Sequence, residues 1–277
     1  LYASSFSGFY LPLMIVLWLL ILRGVAVELR HHLPNPVWAS FWDGVFFLGS
    51  ALLAIFFGAA AANVVRGVSL DAHGTFFEPL WTNFSPFNPN PGILDWYTVL
   101  IGLLALAALT LHGANYIAVK TTGPLQERAR RIARMAWIAT IVLGILGTAA
   151  TFWVQPAVAK GFGARPWGVI FPLIAVAGLV AVEYFRRTGQ DLRALFASGA
   201  FLAGMMASSL LALYPMVLPA KTPANSLTIS NASASQYGQT VGLIWWIIGM
   251  ILAAVYFVIV YRLFWGKVQV KDEAGGY

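Results

Sequence analysis

The sequence predicts an all-α fold, a polytopic transmembrane helical bundle with seven spans that forms one integral membrane domain over residues 1–277. Three observations predict it. Only 10% of the 277 residues are charged, against roughly 25% in soluble domains, too few to cover a water-soluble surface. The charges gather in short clusters between uncharged apolar runs. Those clusters are unequal, alternating along the chain between rich and poor in lysine and arginine.

A bilayer core about 30 Å thick takes about 20 helical residues to cross, so the apolar runs can be counted as spans. They run from Gly8 to Glu28, Gly44 to Val65, Trp96 to Val119, Met135 to Val154, Trp167 to Glu183, Ala194 to Leu213 and Thr240 to Tyr261. Seven spans place successive connections on alternating sides. One set of connections carries Arg23, Arg30, Lys120, Arg128, Arg130, Arg131, Arg134, Arg186, Arg187, Arg193, Arg262, Lys267 and Lys271. The other carries only Arg66, Lys160, Arg165 and Lys221. Basic loops are retained in the cytoplasm, so the first set faces inward, the C-terminus is cytoplasmic, and the long loops 66–95 and 214–239 face outward. The formal charge of +7 is thereby read as topogenic, and no nucleic-acid partner is expected. Leu1 stands where a start methionine would, and the natural N-terminus is expected to be missing.

The first outer loop, from Phe77 to Trp96, is rich in proline, asparagine and aromatics. That composition suits an ordered cap with turns, and Trp81 and Trp96 also suit plain anchoring at the interface. In the sixth span Gly199, Ala203 and Ala207 recur at spacing four, beside Ala200, Gly204 and Ser208. Small residues let helices approach in lipid, so this span is expected inside a bundle.

Polar residues within spans are few and costly. Arg23 and Glu28 lie near the inner end of the first, Asn63 near the outer end of the second, and Glu183 near the inner end of the fifth. His112 and Asn115, three apart in the third span, share a helical face. They read either as a contact to a partner or a water chain for protons, or as a hydrogen bond pinning neighbouring helices. Arg23 reads either as functional or as a side chain extending toward the headgroups. His31, His32 and His73 fall in loops, leaving His112 as the one histidine in a span, and a bis-histidine haem needs two. There is no cysteine, which excludes disulfides and thiolate metal sites. Catalytic triads, phosphate loops and carboxylate dyads find no support. The residues themselves thus describe a membrane scaffold with no catalytic, cofactor or metal ligands of its own.

Three stretches say more. HGANYIAVKTTGPLQERARR, from His112 to Arg131, LYPMVLPAKTPANSLTISNASASQ, from Leu213 to Gln236, and SFSGFYLPLMIVLWLLILRGVAVELR, from Ser5 to Arg30, resemble, in order, an inner-loop boundary, the last outer loop and the third span of cytochrome bd quinol oxidase subunit II. The resemblance implies a two-subunit terminal oxidase of a prokaryotic plasma membrane that oxidises quinol and reduces dioxygen to water. It implies a partner, subunit I, holding haem b, haem d and the quinol site, while this chain binds no cofactor and supplies interface, stability and parts of proton or oxygen paths in contact with lipid. Nine helices are usual for that family, so two more are expected before Leu1. Arg23, His112 and Asn115 fall on family motif positions and become the candidate proton-path or interface residues. Two rival classes remain: a secondary transporter, which calls for inverted repeats and helices broken near mid-membrane, and a non-catalytic assembly factor. No convincing repeat is visible, although Pro12 and Pro172 lie inside spans.

Overall fold

The computed structural model describes residues 2–268; Leu1 and Lys271, used in the reading above, lie outside them. Seven of its helices are long and apolar enough to cross a membrane. A short α1 (Tyr2–Gly8) turns at Phe9 into α2 (Tyr10–Leu29), followed by α3 (Pro36–Arg66), α4 (Trp96–Lys120), α5 (Gly123–Val154), the short α6 (Ala157–Ala164), α7 (Ile170–Arg187) after one 3-10 turn, α8 (Asp191–Leu213) and α9 (Gln236–Leu263). Between α8 and α9, β1 (Met216–Leu218) and β2 (Leu227–Thr228) pair antiparallel.

Local sequence sets the ends. Asn35 accepts from the Val37 amide with Pro36 at the first helical position, which starts α3, because proline costs nothing where the amide has no intrahelical partner. Asp95 and Thr98 form a reciprocal capping box at α4. Thr121 and Thr122 leave α4 extended, Gly123 sits at φ +66° and Pro124 follows, so α5 begins almost at once. The expected inner loop around Arg128 to Arg134 is therefore helix. At 32 residues, α5 is about 48 Å long, and its first turns run beyond a hydrocarbon core. The segment after α5 also folds, as α6 against α8.

The helices pack as α2 on α3, α3 on α4, α4 on α5 and α8, and α7 on α8. Two crossings depend on glycine. A Cβ on Gly58 of α3 would lie 2.8 Å from the Gly102 Cα of α4, and one on Gly178 of α7 would lie 2.8 Å from the Ala197 carbonyl oxygen of α8. Backbones this close gain dispersion contacts that lipid does not supply. In α8 it is the Gly204 row that meets α7. Ala203 of the other row is exposed, with Phe196, Met206 and Leu210. The span expected inside a bundle is covered on one side within this chain.

The two long connections share one core at the Arg66 end of the bundle, where Val68, Leu70, Phe76 and Leu218 are buried together. Val68 donates to the Pro219 carbonyl, Lys221 donates back to that of Val68, and the Asn225 side chain donates to that of Leu70. They form a single cap. No residue of α9 is buried. Its far end is fastened by the Lys120 ammonium, which donates to the Phe264 carbonyl at 2.8 Å, and by the Val268 amide, which donates to the Lys120 carbonyl.

Candidate functional site

Besides the Tyr97–Thr151 contact of α4 with α5 and the Trp137 bond to the Leu179 carbonyl of α7, three groups of polar side chains stand out, two at helix contacts and one under the cap. The first is the α2–α3 contact. The stem of Arg23 lies along α3, where a Cβ on Gly49 would come within 3.1 Å of the Arg23 Cγ. Its guanidinium carbon is 5.3 Å from the Phe46 ring centroid, within cation–π range. The Arg23 Nε is buried without a hydrogen-bond partner, and so is the Trp42 Nε1 one turn from Phe46 on α3. Among the described residues Arg23 has no ion pair. Glu28 is exposed, and the acid at this end, Asp43, is bound by Arg30 through Nε and Nη2.

The second place is the α4–α8 contact. His112 Nδ1 lies 2.8 Å from the Ser198 Oγ, and that hydroxyl is also 2.7 Å from the Leu195 carbonyl oxygen. Asn115, one turn along α4, is 3% exposed, and its amide nitrogen has no partner. Further toward the Lys120 end, Gln126 donates to the Ala118 carbonyl of α4 and to Asp191 of α8, and Arg130 grips the same carboxylate with two bonds, the shorter 2.7 Å. Glu183, singled out in the sequence, is held within its own helix terminus by Arg186 and Arg187. Arg23 belongs to a different helix pair from His112 and Asn115, so the three candidates are not one cluster.

The third place was not foreseen. Under the cap, Arg66 is ion-paired to Asp95 and to Glu78, with side-chain exposures of 7%, 3% and 2%. Asn63 accepts from Arg66 and donates to the Ile93 carbonyl, while Glu78 accepts from the Ser69 amide and hydroxyl. Charge in such a place needs full pairing to be tolerated. The available signal was that Glu78 and Asp95 are the acids inside an otherwise uncharged proline and aromatic segment.

The described residues offer no bis-histidine haem site: His112, whose Nδ1 meets Ser198, has no second histidine facing it, and there is no group of three or more metal-ligating side chains among them.

A family model described as cytochrome bd terminal oxidase subunit II matches residues 1–264. The chain belongs to that family. It is 29% identical to the probable cytochrome oxidase subunit 2 of Haemophilus influenzae, over 97% of this chain and 76% of that one. It is 28% identical to the cytochrome bd ubiquinol oxidase subunit 2 of Bacillus subtilis, over 87% of this chain and 68% of that one. The fold is similar to that of a bd oxidase chain from Geobacillus thermodenitrificans, with a TM-score of 0.68 at 15% identity, covering 92% of this chain and 73% of that one. The protein is thus a membrane-embedded subunit II of a cytochrome bd-type terminal oxidase, a quinol:oxygen oxidoreductase complex, and it works beside a partner subunit. Family membership leaves the transporter and assembly-factor readings without support.

Proposed function

We propose that this chain is the haem-free half of the oxidase, shaping and insulating a partner subunit I that carries haem b, haem d and the quinol site. One observation carries the reading. Among the described residues the buried side-chain atoms without a partner are all nitrogens, Arg23 Nε, Trp42 Nε1 and Asn115 Nδ2 at helix contacts and Arg66 Nε under the cap, whereas a bis-histidine haem needs two histidines within spans and the sequence offers one. A buried donor without an acceptor costs about 1–3 kcal/mol, so Arg23 and Trp42 call for an acidic or carbonyl group from outside the described residues. The broad apolar exterior supplies a surface for a second apolar bundle and for lipid. Expressed without subunit I, the full-length chain adds no haem spectrum to membranes; co-expression restores the b and d bands. Stoichiometric haem on the chain alone overturns the assignment.

The basic connections lie on the cytoplasmic face of the prokaryotic plasma membrane, and the cap lies outside. The asymmetry of lysine and arginine supports this sidedness. Gln126 is tied to Asp191, so exposed Glu127 is the better reporter. A cysteine there stays unlabelled by an impermeant thiol reagent in intact cells and reacts in inverted vesicles; the reverse pattern inverts the topology.

A further inference from the structure

Between Lys120 and Glu183 the sequence holds a single acid, Glu127, and Arg128, Arg130, Arg131 and Arg134 follow it closely in α5. At this end of the bundle the chain answers most of its own cations: Arg30 is bound to Asp43, Arg130 to Asp191, and Arg186 and Arg187 to Glu183. Arg128, Arg131 and Arg134 are exposed and, among the described residues, make neither an ion pair nor a side-chain hydrogen bond. Their depth follows from the length of the helix. A hydrocarbon core about 30 Å thick takes about 20 helical residues, which counted back from Val154 at the end of α5 reaches Met135, and exposed Trp153 suits the opposite interface. Arg134, Arg131 and Arg128 then rise through the headgroup layer in steps of about 4.5 Å. Beneath them run Met135, Ile138, Val142 and Ile145, all exposed, at the three- and four-residue spacing that keeps them on one face. Unlike the two close helix crossings, which depend on glycine, this strip is lined by bulky side chains, which suit acyl chains better than the approach of a second helix.

We propose that this face of α5 binds an anionic phospholipid, its phosphodiester held by Arg131 and Arg134 with Arg128 above, and one acyl chain laid along Met135, Ile138, Val142 and Ile145. A guanidinium presents a fork of N–H donors that meets phosphate oxygens in pairs. Three such groups at headgroup depth favour a lipid with net negative charge over a zwitterionic one, whose own ammonium competes for the phosphate. The apolar strip decides between a lipid and an acidic protein segment. It continues the arginine face directly, for about 15 Å, which is the geometry of a headgroup joined to its tail. The assignment uses depth along α5 and not the sidedness of the chain, and it goes beyond the haem-free reading without resting on it.

In the test, the assembled, full-length oxidase in neutral detergent is loaded with phosphatidylglycerol carrying a diazirine in its acyl chain, or with phosphatidylcholine carrying the same chain. It is then irradiated and digested, and adducts are located by mass spectrometry. Each arginine near a bilayer surface favours an anionic lipid by roughly fivefold, so two or more contacts predict labelling between Met135 and Ile145 about tenfold or more greater with phosphatidylglycerol. Equal labelling by the two lipids overturns the site. No labelling by either means that a protein surface covers the face, and overturns it as well. Arg131→Gln with Arg134→Gln brings the phosphatidylglycerol signal down to the phosphatidylcholine level; a preference that survives both replacements places the headgroup elsewhere. If that variant does not assemble, the comparison of the two lipids on the unmodified complex decides, because the adducts are located by residue. Excess inorganic phosphate leaves the labelling unchanged, and its loss would reassign the arginines to a free anion.

Discussion

The two halves of α3 treat charge in opposite ways. At its cap end, Arg66 is almost wholly buried and answered by Asp95, Glu78 and Asn63 from its own chain. Against its other half, Arg23 of α2 leans on Gly49 and Phe46 with no acid to meet it among the described residues. The Arg66 Nε has no acceptor, but its charge is met by two carboxylates; such a charge belongs to the fold, and removing one partner strands the other. A donor left open contributes little to the chain alone and much to whatever completes it. The contrast separates residues that hold the subunit together from residues that act in the assembly.

The largest effect is expected at the paired end. Asp95→Ala removes both the N-cap of α4 and the counter-charge of Arg66, at a cost of about 3–5 kcal/mol. It is checked by thermal unfolding and by the yield of folded chain, and a melting temperature within a degree or two of the unmodified protein would contradict the structural role. At the open end the order reverses. Arg23→Ala lowers quinol-dependent oxygen uptake per haem, or haem retention, by tenfold or more, yet shifts the stability of the chain by no more than about 1 kcal/mol. His112→Ala lowers uptake less, and Thr222→Ala, on the exposed cap surface, not at all. Equal uptake in all three variants would reduce Arg23 and His112 to packing. The smallest effect sharpens the comparison within the cap. The Thr75 backbone amide, and then its hydroxyl, hold the exposed Asp71 carboxyl below the ordinary aspartate range. A depressed folded value means that the stabilisation is present above the unfolded pKa and is lost as pH falls through the folded one. Exchange of the Thr75 amide should therefore quicken at acid pH in the unmodified protein and show no such acid dependence in Asp71→Asn.

Much of this architecture was legible because the hydrocarbon core imposes a length, and uncharged runs of that length stand out in a chain so poor in charge. Helix ends were less legible. Counting stops at the first charge, whereas the helix continues past the membrane; α3 begins eight residues before Gly44 and α5 twelve before Met135. In α8 both rows of small residues carry the same signal, and only the crossing of α7 over Gly204 chose between them. His112 and Asn115 were readable as one helical face, but Ser198 was not, because its partner is 86 positions away and a serine in a small-residue helix looks like packing. The Arg66 network was hidden for a related reason. Its members come from α3, the cap and the start of α4, and a sequence shows loop acids as solvent-facing until the loop is seen to fold over them.

The attachment of α9 has a mechanical consequence. The cap holds one end and the Lys120 clasp the other, while the 28 residues between them bury nothing. It is a beam resting on two supports, and its bending stiffness is the backbone's alone. Lateral force along its middle is delivered to the two supports and not to the core, so α9 can bow with its surroundings while the packing of α3, α4 and α8 keeps its dimensions.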